Sequence, residues 1–118
     1  MPFAALGLDP RLLEGIRDLG FAETRPIQSA VVPLAIAGQD LIACAETGTG
    51  KTAAFVIPTL QKLLTTPAPA IANGTPAKSR VLVLAPTREL AVQIEDEMHG
   101  LSYHTSITSA AVYGGVEM

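Results

Sequence analysis

The residues best placed to do chemistry lie in "AETGTGKT", positions 45–52. A phosphate chain carries dense negative charge, and backbone N–H groups at the start of a helix hold it where the residues are small enough for close approach. Gly48 and Gly50 supply that smallness, in a cradle completed by Ala45, Glu46, Thr47 and Thr49. Lys51 would set its ammonium on the β and γ phosphates, and the Thr52 hydroxyl would ligate Mg²⁺. These two residues would lie nearest the reacting phosphate of a nucleoside triphosphate. The alternative is a Gly-Thr-Gly turn followed by a surface lysine. Ala45 stands where such a loop usually opens with Gly, and one methyl fits where the chain is not in a glycine-only conformation.

The loop needs a strand before it and a helix after it, and the flanking patterns supply both. "DLIACA" (40–45) is a short apolar run leading into the loop, and "RVLVLAP" (80–86) and "SAAVYGG" (109–115) are two more, each ended by Pro or Gly. Runs apolar at successive positions suit strands buried on both faces, as in a parallel sheet covered by helices. Helical patterns lie between them: 51–64, with Ala54, Phe55, Ile57, Leu60, Leu63 and Leu64, and 88–99, with Leu90, Ala91, Ile94 and Met98. Strand, helix, strand, helix, strand predicts an α/β fold.

Two further helices are predicted upstream. Asp9 caps the first, Pro10 opens it, Leu12, Leu13, Ile16 and Leu19 share a face, and Gly20 ends it. The second begins at Pro26 and runs through Ile27, Ala30, Val31 and Leu34 to Gly38, with Pro33 as a kink point because its ring removes a backbone donor. The stretch "TTPAPAIANGTPAKS" (65–79) reads as a mobile loop around the turn-like Asn73-Gly74.

With 118 residues and 48% hydrophobic content, the chain can bury one real core. Eight Lys and Arg against eleven Asp and Glu leave a net charge of -3. That excludes a broad basic surface, so any nucleic-acid contact must come from local groups. A single cysteine, Cys44, excludes an internal disulfide and reads as a small buried hydrophobe. The opening "MPFAALGLDP" lacks the basic head and apolar run of a secretory signal, and no apolar run approaches the ~20 residues that span a bilayer. A cytoplasmic protein with no membrane contact is the expectation. His99 and His104 read as surface residues without partners, and Glu95-Asp96-Glu97 as a solvated helical face.

In order along nearly the whole chain, several stretches resemble the motifs of the DEAD-box RNA helicases. "GFAETRPIQ" (20–28) is similar to that family's Q motif, which reads adenine. The resemblance implies that Gln28 bonds the Hoogsteen edge, that the ring of Phe21 lies on the base, and that Phe3 is an accessory aromatic. Thr24 and Arg25 stand where the family usually has Pro and Thr, a departure bearing on the stiffness of this nucleotide-contacting segment. "AETGTGKT" is similar to the family's first motif, where Ala is the normal opening residue and Gln is commoner than Glu46. "PTRELA" (86–91) resembles an RNA-contacting motif. Thr87 can cap the following helix, and its free N–H groups with Pro86 and Arg88 make a site for one RNA phosphate. Gly114-Gly115 resembles the next RNA-contacting motif, where glycine lets the sugar-phosphate backbone come close. Taken singly, "PTREL" is a helix start, Gly114-Gly115 a turn, Gln28 a surface amide, and Phe3 and Phe21 core residues.

The resemblance implies a partial RecA-like P-loop domain, a parallel sheet flanked by helices, spanning 1–118. Its helical Q-motif region would occupy 1–38, with the phosphate loop and first RNA-contacting motifs in 39–118. ATP and Mg²⁺ are the implied cofactors and RNA the implied partner. The sequence contains no Asp-Glu-Ala-Asp, and the second helicase domain is absent, so the chain is expected to represent roughly the first half of such a domain and to be hydrolytically incompetent alone. Open sheet edges predict self-association. Two alternatives remain open: a non-catalytic nucleotide- or RNA-binding fragment, and an unrelated P-loop enzyme such as a small kinase.

Overall fold

Four α-helices carry the fold: α1 (Pro10–Asp18), α2 (Pro26–Ile36), α3 (Lys51–Thr65) and α4 (Arg88–Leu101), after a 3-10 turn at Phe3–Leu6. The structure, a computed structural model, describes residues 2–45, 50–66 and 80–112. The expected loop at 65–79 lies largely outside them.

The local signals that begin and end these helices are built from the expected side chains. The Asp9 carboxylate accepts from the Arg11 N–H at 2.9 Å, and Pro10 occupies the first turn. The Arg11 guanidinium adds two further bonds at 3.1 and 3.0 Å, and this pairing, with the backbone bond, holds the Asp9 carboxyl below the usual range. At the other end Gly20 takes φ 83°, so that its N–H reaches the Arg17 carbonyl and the Phe21 N–H reaches that of Ile16. The same arrangement, with Gly38 at φ 89°, ends α2. Both closures need a left-handed residue, which glycine adopts without cost from a Cβ. α2 runs unbroken through Pro33, and α3 through Pro58.

α3 is the central helix. Ala53, Ala54, Val56, Ile57, Pro58, Leu60 and Gln61 are buried, and α2, α1 and α4 all pack on it. Phe3, Leu8, Leu12, Ile16, Val32 and Leu101 complete the core around it. Burying side chains such as Ile57 and Leu60 stabilises by about 1.5–3 kcal/mol each, far more than helix propensity contributes. One polar tie crosses this core: the Asp9 N–H donates to Gln61 Oε1 at 2.7 Å, fixing the head of α1 on α3.

The expected sheet is not seen among the described residues. Among the described residues no strand is present, and the one bridge joins Pro2 to Glu23 in antiparallel sense. Residues 40–45, 80–85 and 109–112 are irregular, with Ile42, Leu82 and Leu84 at 99, 83 and 84% exposure. An apolar run specifies what should be buried, but a strand exists only through bonds to a neighbouring strand, and the described residues of these runs do not pair with one another. Leu41, Ala43 and Leu84 instead border a cleft of about 480 Å³ with Phe55, Leu90 and Ile94 among its helical walls. No helix among the described residues is long and apolar enough to cross a membrane.

α1 and α4 meet through glycine. A Cβ on Gly15 would run into the Leu101 carbonyl, and one on Gly100 into the Leu19 side chain. Gly15→Ala should therefore destabilise, because overpacking against backbone costs about 1–3 kcal/mol and outweighs the ~1 kcal/mol gained in helix propensity. Thermal denaturation checks it: a fall of several degrees is expected, and a rise would mean the contact gives way freely.

Candidate phosphate and nucleic-acid sites at two helix heads

The head of α3 is shaped by a glycine and a buried amide. Gly50 takes φ 82° as the residue before Lys51, and a Cβ there would collide with Gln28 Nε2 and touch Arg25 Cδ. Two independent constraints, conformation and space, thus demand glycine at this position. No side chain caps this end of the helix. A helix start of this kind carries the positive end of a fifteen-residue dipole, the physical basis of an anion site.

Gln28 is 3% exposed, so it is no surface amide. Its Oε1 accepts from the Arg25 N–H at 2.9 Å, and its Nε2 donates to the Gly50 carbonyl at 3.1 Å. One side chain therefore ties the start of α2 to the start of α3. An amide has two N–H donors and two oxygen lone pairs, so one of each remains for a further partner. Phe21 is half-buried and stacks on Phe3, ring centroids 6.3 Å apart and 26° between planes. Phe3 itself is 3% exposed and sits in the core. It supports the Phe21 ring and presents no free face of its own.

Lys51 is exposed, and its ammonium donates to the Ala45 carbonyl at 3.2 Å. Thr52 follows on the same turn, half-buried. Arg25, Gln28, Ala45, Gly50 and Lys51 are thus brought together, with Thr52 adjacent. Glu46, Thr47, Gly48 and Thr49 lie outside the described residues. Thr52 fits a hard cation in kind: a lone hydroxyl is a suitable single protein ligand for Mg²⁺, which keeps most of its shell as water and phosphate oxygen.

The head of α4 is built differently. The Thr87 hydroxyl accepts from the Leu90 N–H at 3.1 Å, so one orphan donor is already satisfied, and Glu89 places an acid in the first turn. Pro86, Thr87 and Arg88 are exposed. Gly114 and Gly115 lie outside the described residues. Lys51 and Thr52 of α3 and Leu90 of α4 all line the apolar cleft.

Three expectations are corrected. Cys44 is exposed, because the run that carries it is not covered. His99 and His104 have partners: His99 Nε2 lies 3.3 Å from Glu95 Oε1, and His104 is held by Glu14 and Asp18. The acidic triplet divides, Asp96 exposed, Glu95 engaged with His99, and Glu97 half-buried with its carboxyl pushed up by that burial. Successive helical residues fan around the axis, and here three neighbours meet three environments.

Comparison with known proteins places these features in a family. The family model described as DEAD/DEAH box helicase matches residues 25–118. The ATP-dependent RNA helicase RhlB of Aliivibrio salmonicida (strain LFI1238) is 46% identical over 113 residues, 96% of this chain and 26% of that protein. The ATP-dependent RNA helicase SrmB of Escherichia coli (strain K12) is 46% identical over 114 residues, 97% of this chain and 24% of that protein. The crystal structure of the RNA-helicase Prp28 from Chaetomium thermophilum bound to ADP matches with a TM-score of 0.83 at 36% identity, over 98% of this chain and 27% of that one. A DEAD box protein from Methanococcus jannaschii matches with a TM-score of 0.79 at 35% identity, over 99% of this chain and 30% of that one. The chain spans about a quarter of the length of the curated relatives it matches. Its backbone path is that of part of a RecA-like helicase domain, although the described residues form helices without strands.

Proposed function

The chain belongs to the DEAD/DEAH box helicase family, and from that premise we propose that it binds ATP at the head of α3 and an RNA phosphate at the head of α4. It would thereby form the nucleotide-binding and first RNA-contacting part of an ATP-dependent RNA helicase. The observation that carries the proposal is the Gln28 amide, buried and bonded to both Arg25 and Gly50. A base bonded to the remaining amide positions would have its phosphates directed to the helix head that Gly50 opens.

In this reading Phe21, backed by Phe3, lies on the adenine, and Gln28 reads its edge. Residues 45–50 cradle the phosphates by their N–H groups. Lys51 exchanges the Ala45 carbonyl for the β and γ phosphates, a stronger partner because the bond becomes charged at both ends. Thr52 would hold Mg²⁺, which when bound screens the phosphate charge. Residues 1–38 serve the base and 39–118 the phosphates and RNA. No Asp-Glu-Ala-Asp is present in the sequence, so these residues bind and orient without completing the phosphoryl-transfer machinery.

Nucleotide titration tests the site. Wild type should prefer ATP to GTP, Gln28→Ala should lose that preference, and Lys51→Ala should lose about tenfold or more in affinity, the worth of one charged hydrogen bond. Absence of any adenine preference sinks the base-reading assignment and leaves a general P-loop site. Unchanged ATP affinity in Lys51→Ala removes the phosphate role.

For RNA, Arg88→Ala should weaken binding equally across unrelated sequences and lower the salt slope by about one contact. A defect confined to some sequences would contradict a phosphate contact.

We further propose that the chain self-associates through its unpaired runs, since Ile42, Leu82, Leu84 and Val112 are exposed. Sedimentation at micromolar concentration should show species larger than the monomer; a sharp monomer boundary refutes it.

A further inference from the structure

We propose that the Arg25 guanidinium is a second phosphate-binding cation at the head of α3, acting with Lys51 on the phosphate chain of the nucleotide; the inference rests on the reading of that site given above. Arg25 immediately precedes α2, a position where Ser, Thr, Asp or Asn ordinarily stands, because an oxygen there accepts from the first N–H groups of the helix. A guanidinium has five N–H donors and no acceptor, so it cannot do this. Its charge also lies at the positive end of the α2 dipole, the end that favours anions. Position and residue type thus conflict twice. The hydrogen bond made here does not resolve the conflict, since Gln28 Oε1 takes the Arg25 N–H at 2.9 Å, a backbone group that any residue except proline would offer. Local rules are broken in this way at sites that do more than hold the fold.

The stem of the side chain says where the charge is kept. A Cβ on Gly50 would lie 3.4 Å from Arg25 Cδ, so the stem rests against the residue that opens α3. The guanidinium carbon is two bonds past Cδ and stays at this helix head as long as the stem does. Arg25 is otherwise exposed, and Lys51, exposed as well, follows Gly50 directly. Two cations and two positive helix ends are thus gathered where Gln28 ties α2 to α3.

Asp9 pairs with Arg11, Glu95 with His99, and Glu14 and Asp18 with His104, and no ion pair between described residues takes up Arg25 or Lys51. Cations gathered at one helix head repel each other, and an anion set among them turns that repulsion into attraction. The two side chains suit different parts of a polyphosphate. An ammonium is a point charge, whereas a guanidinium presents a planar fork that grips a pair of phosphate oxygens with two parallel N–H bonds. The base belongs to Phe21 and Gln28 in the reading above, so Arg25 adds affinity for phosphate and leaves the choice of base alone.

Titration of wild type and Arg25→Thr with ATP, GTP and inorganic triphosphate tests the inference. The variant should bind all three about tenfold more weakly, with the ratio of ATP to GTP affinity as in wild type. Its melting temperature without ligand should rise by a few degrees, because threonine restores an oxygen at the start of α2. A role in the fold would move the melting temperature the other way, and a fall overturns the proposal. So does a loss seen with ATP and not with triphosphate, which would make Arg25 a reader of the base. Arg25→Gln keeps most of the stem over Gly50 and removes the charge; it should show the same loss, and wild-type affinity in this variant overturns the proposal too. Failure of wild type to bind either ATP or triphosphate would sink the nucleotide reading and this inference with it, whereas binding that Arg25→Thr leaves unchanged overturns this inference alone.

Discussion

The burial of α3 is the constraint on which the rest depends. A helix apolar around most of its circumference must be enclosed, and α1, α2 and α4 are arranged as they are because each covers part of it. Enclosure fixes its axis, and with the axis its first turn. The Gly50 conformation and the Gln28 bond to Gly50 then need only orient what packing has located. Hydrogen bonds worth about 1 kcal/mol each could not hold a helix head against the entropy of a free loop. A core of many side chains at 1.5–3 kcal/mol each can.

The α1–α4 seam is the second fixed point, and it explains where glycine was spent. Gly15 and Gly100 lie inside helices, where each costs about 1 kcal/mol relative to Ala. Both are occupied by close approach of the other helix, so the lost propensity is exchanged for contact that a side chain would prevent. Through this seam the helix that begins at Arg88 is braced against the helix that leads into Phe21.

Helix limits were legible in the sequence because their determinants are local. Asp9, Pro10, Gly20, Pro26, Gly38 and Thr87 act within four residues of where they stand, and the structure uses each as expected. The end of α4 was not: the pattern stops at His99, whereas the helix continues through Gly100 to bury Leu101, a contact with α1 overriding a local stop signal. The runs expected as strands stay unpaired among the described residues for the opposite reason. The apolar runs at 40–45 and 80–86 state a burial preference, and pairing is a property of partners that no run contains. At the site, the motif order singled out Gln28 and Gly50. Their bond to each other, across 22 residues, was not legible there. His104 escaped notice because its partners lie more than eighty residues away.

The two helix heads differ in how they can hold an anion, and the difference matches what each is proposed to hold. The α3 head has no side-chain cap, and the Lys51 ammonium stands beside it. Backbone donors at a helix start are fixed, so a phosphate chain bound there would cost no side-chain entropy. The α4 head has already satisfied one donor through Thr87 and carries Glu89, so attraction there leans on the exposed Arg88. An exposed cation acts over roughly the 8 Å screening length of physiological salt, in a chain whose net charge of -3 offers no supporting field. Nucleotide binding at α3 should therefore tolerate salt well, whereas the α4 contact can be strong only with further phosphate contacts along the same RNA backbone.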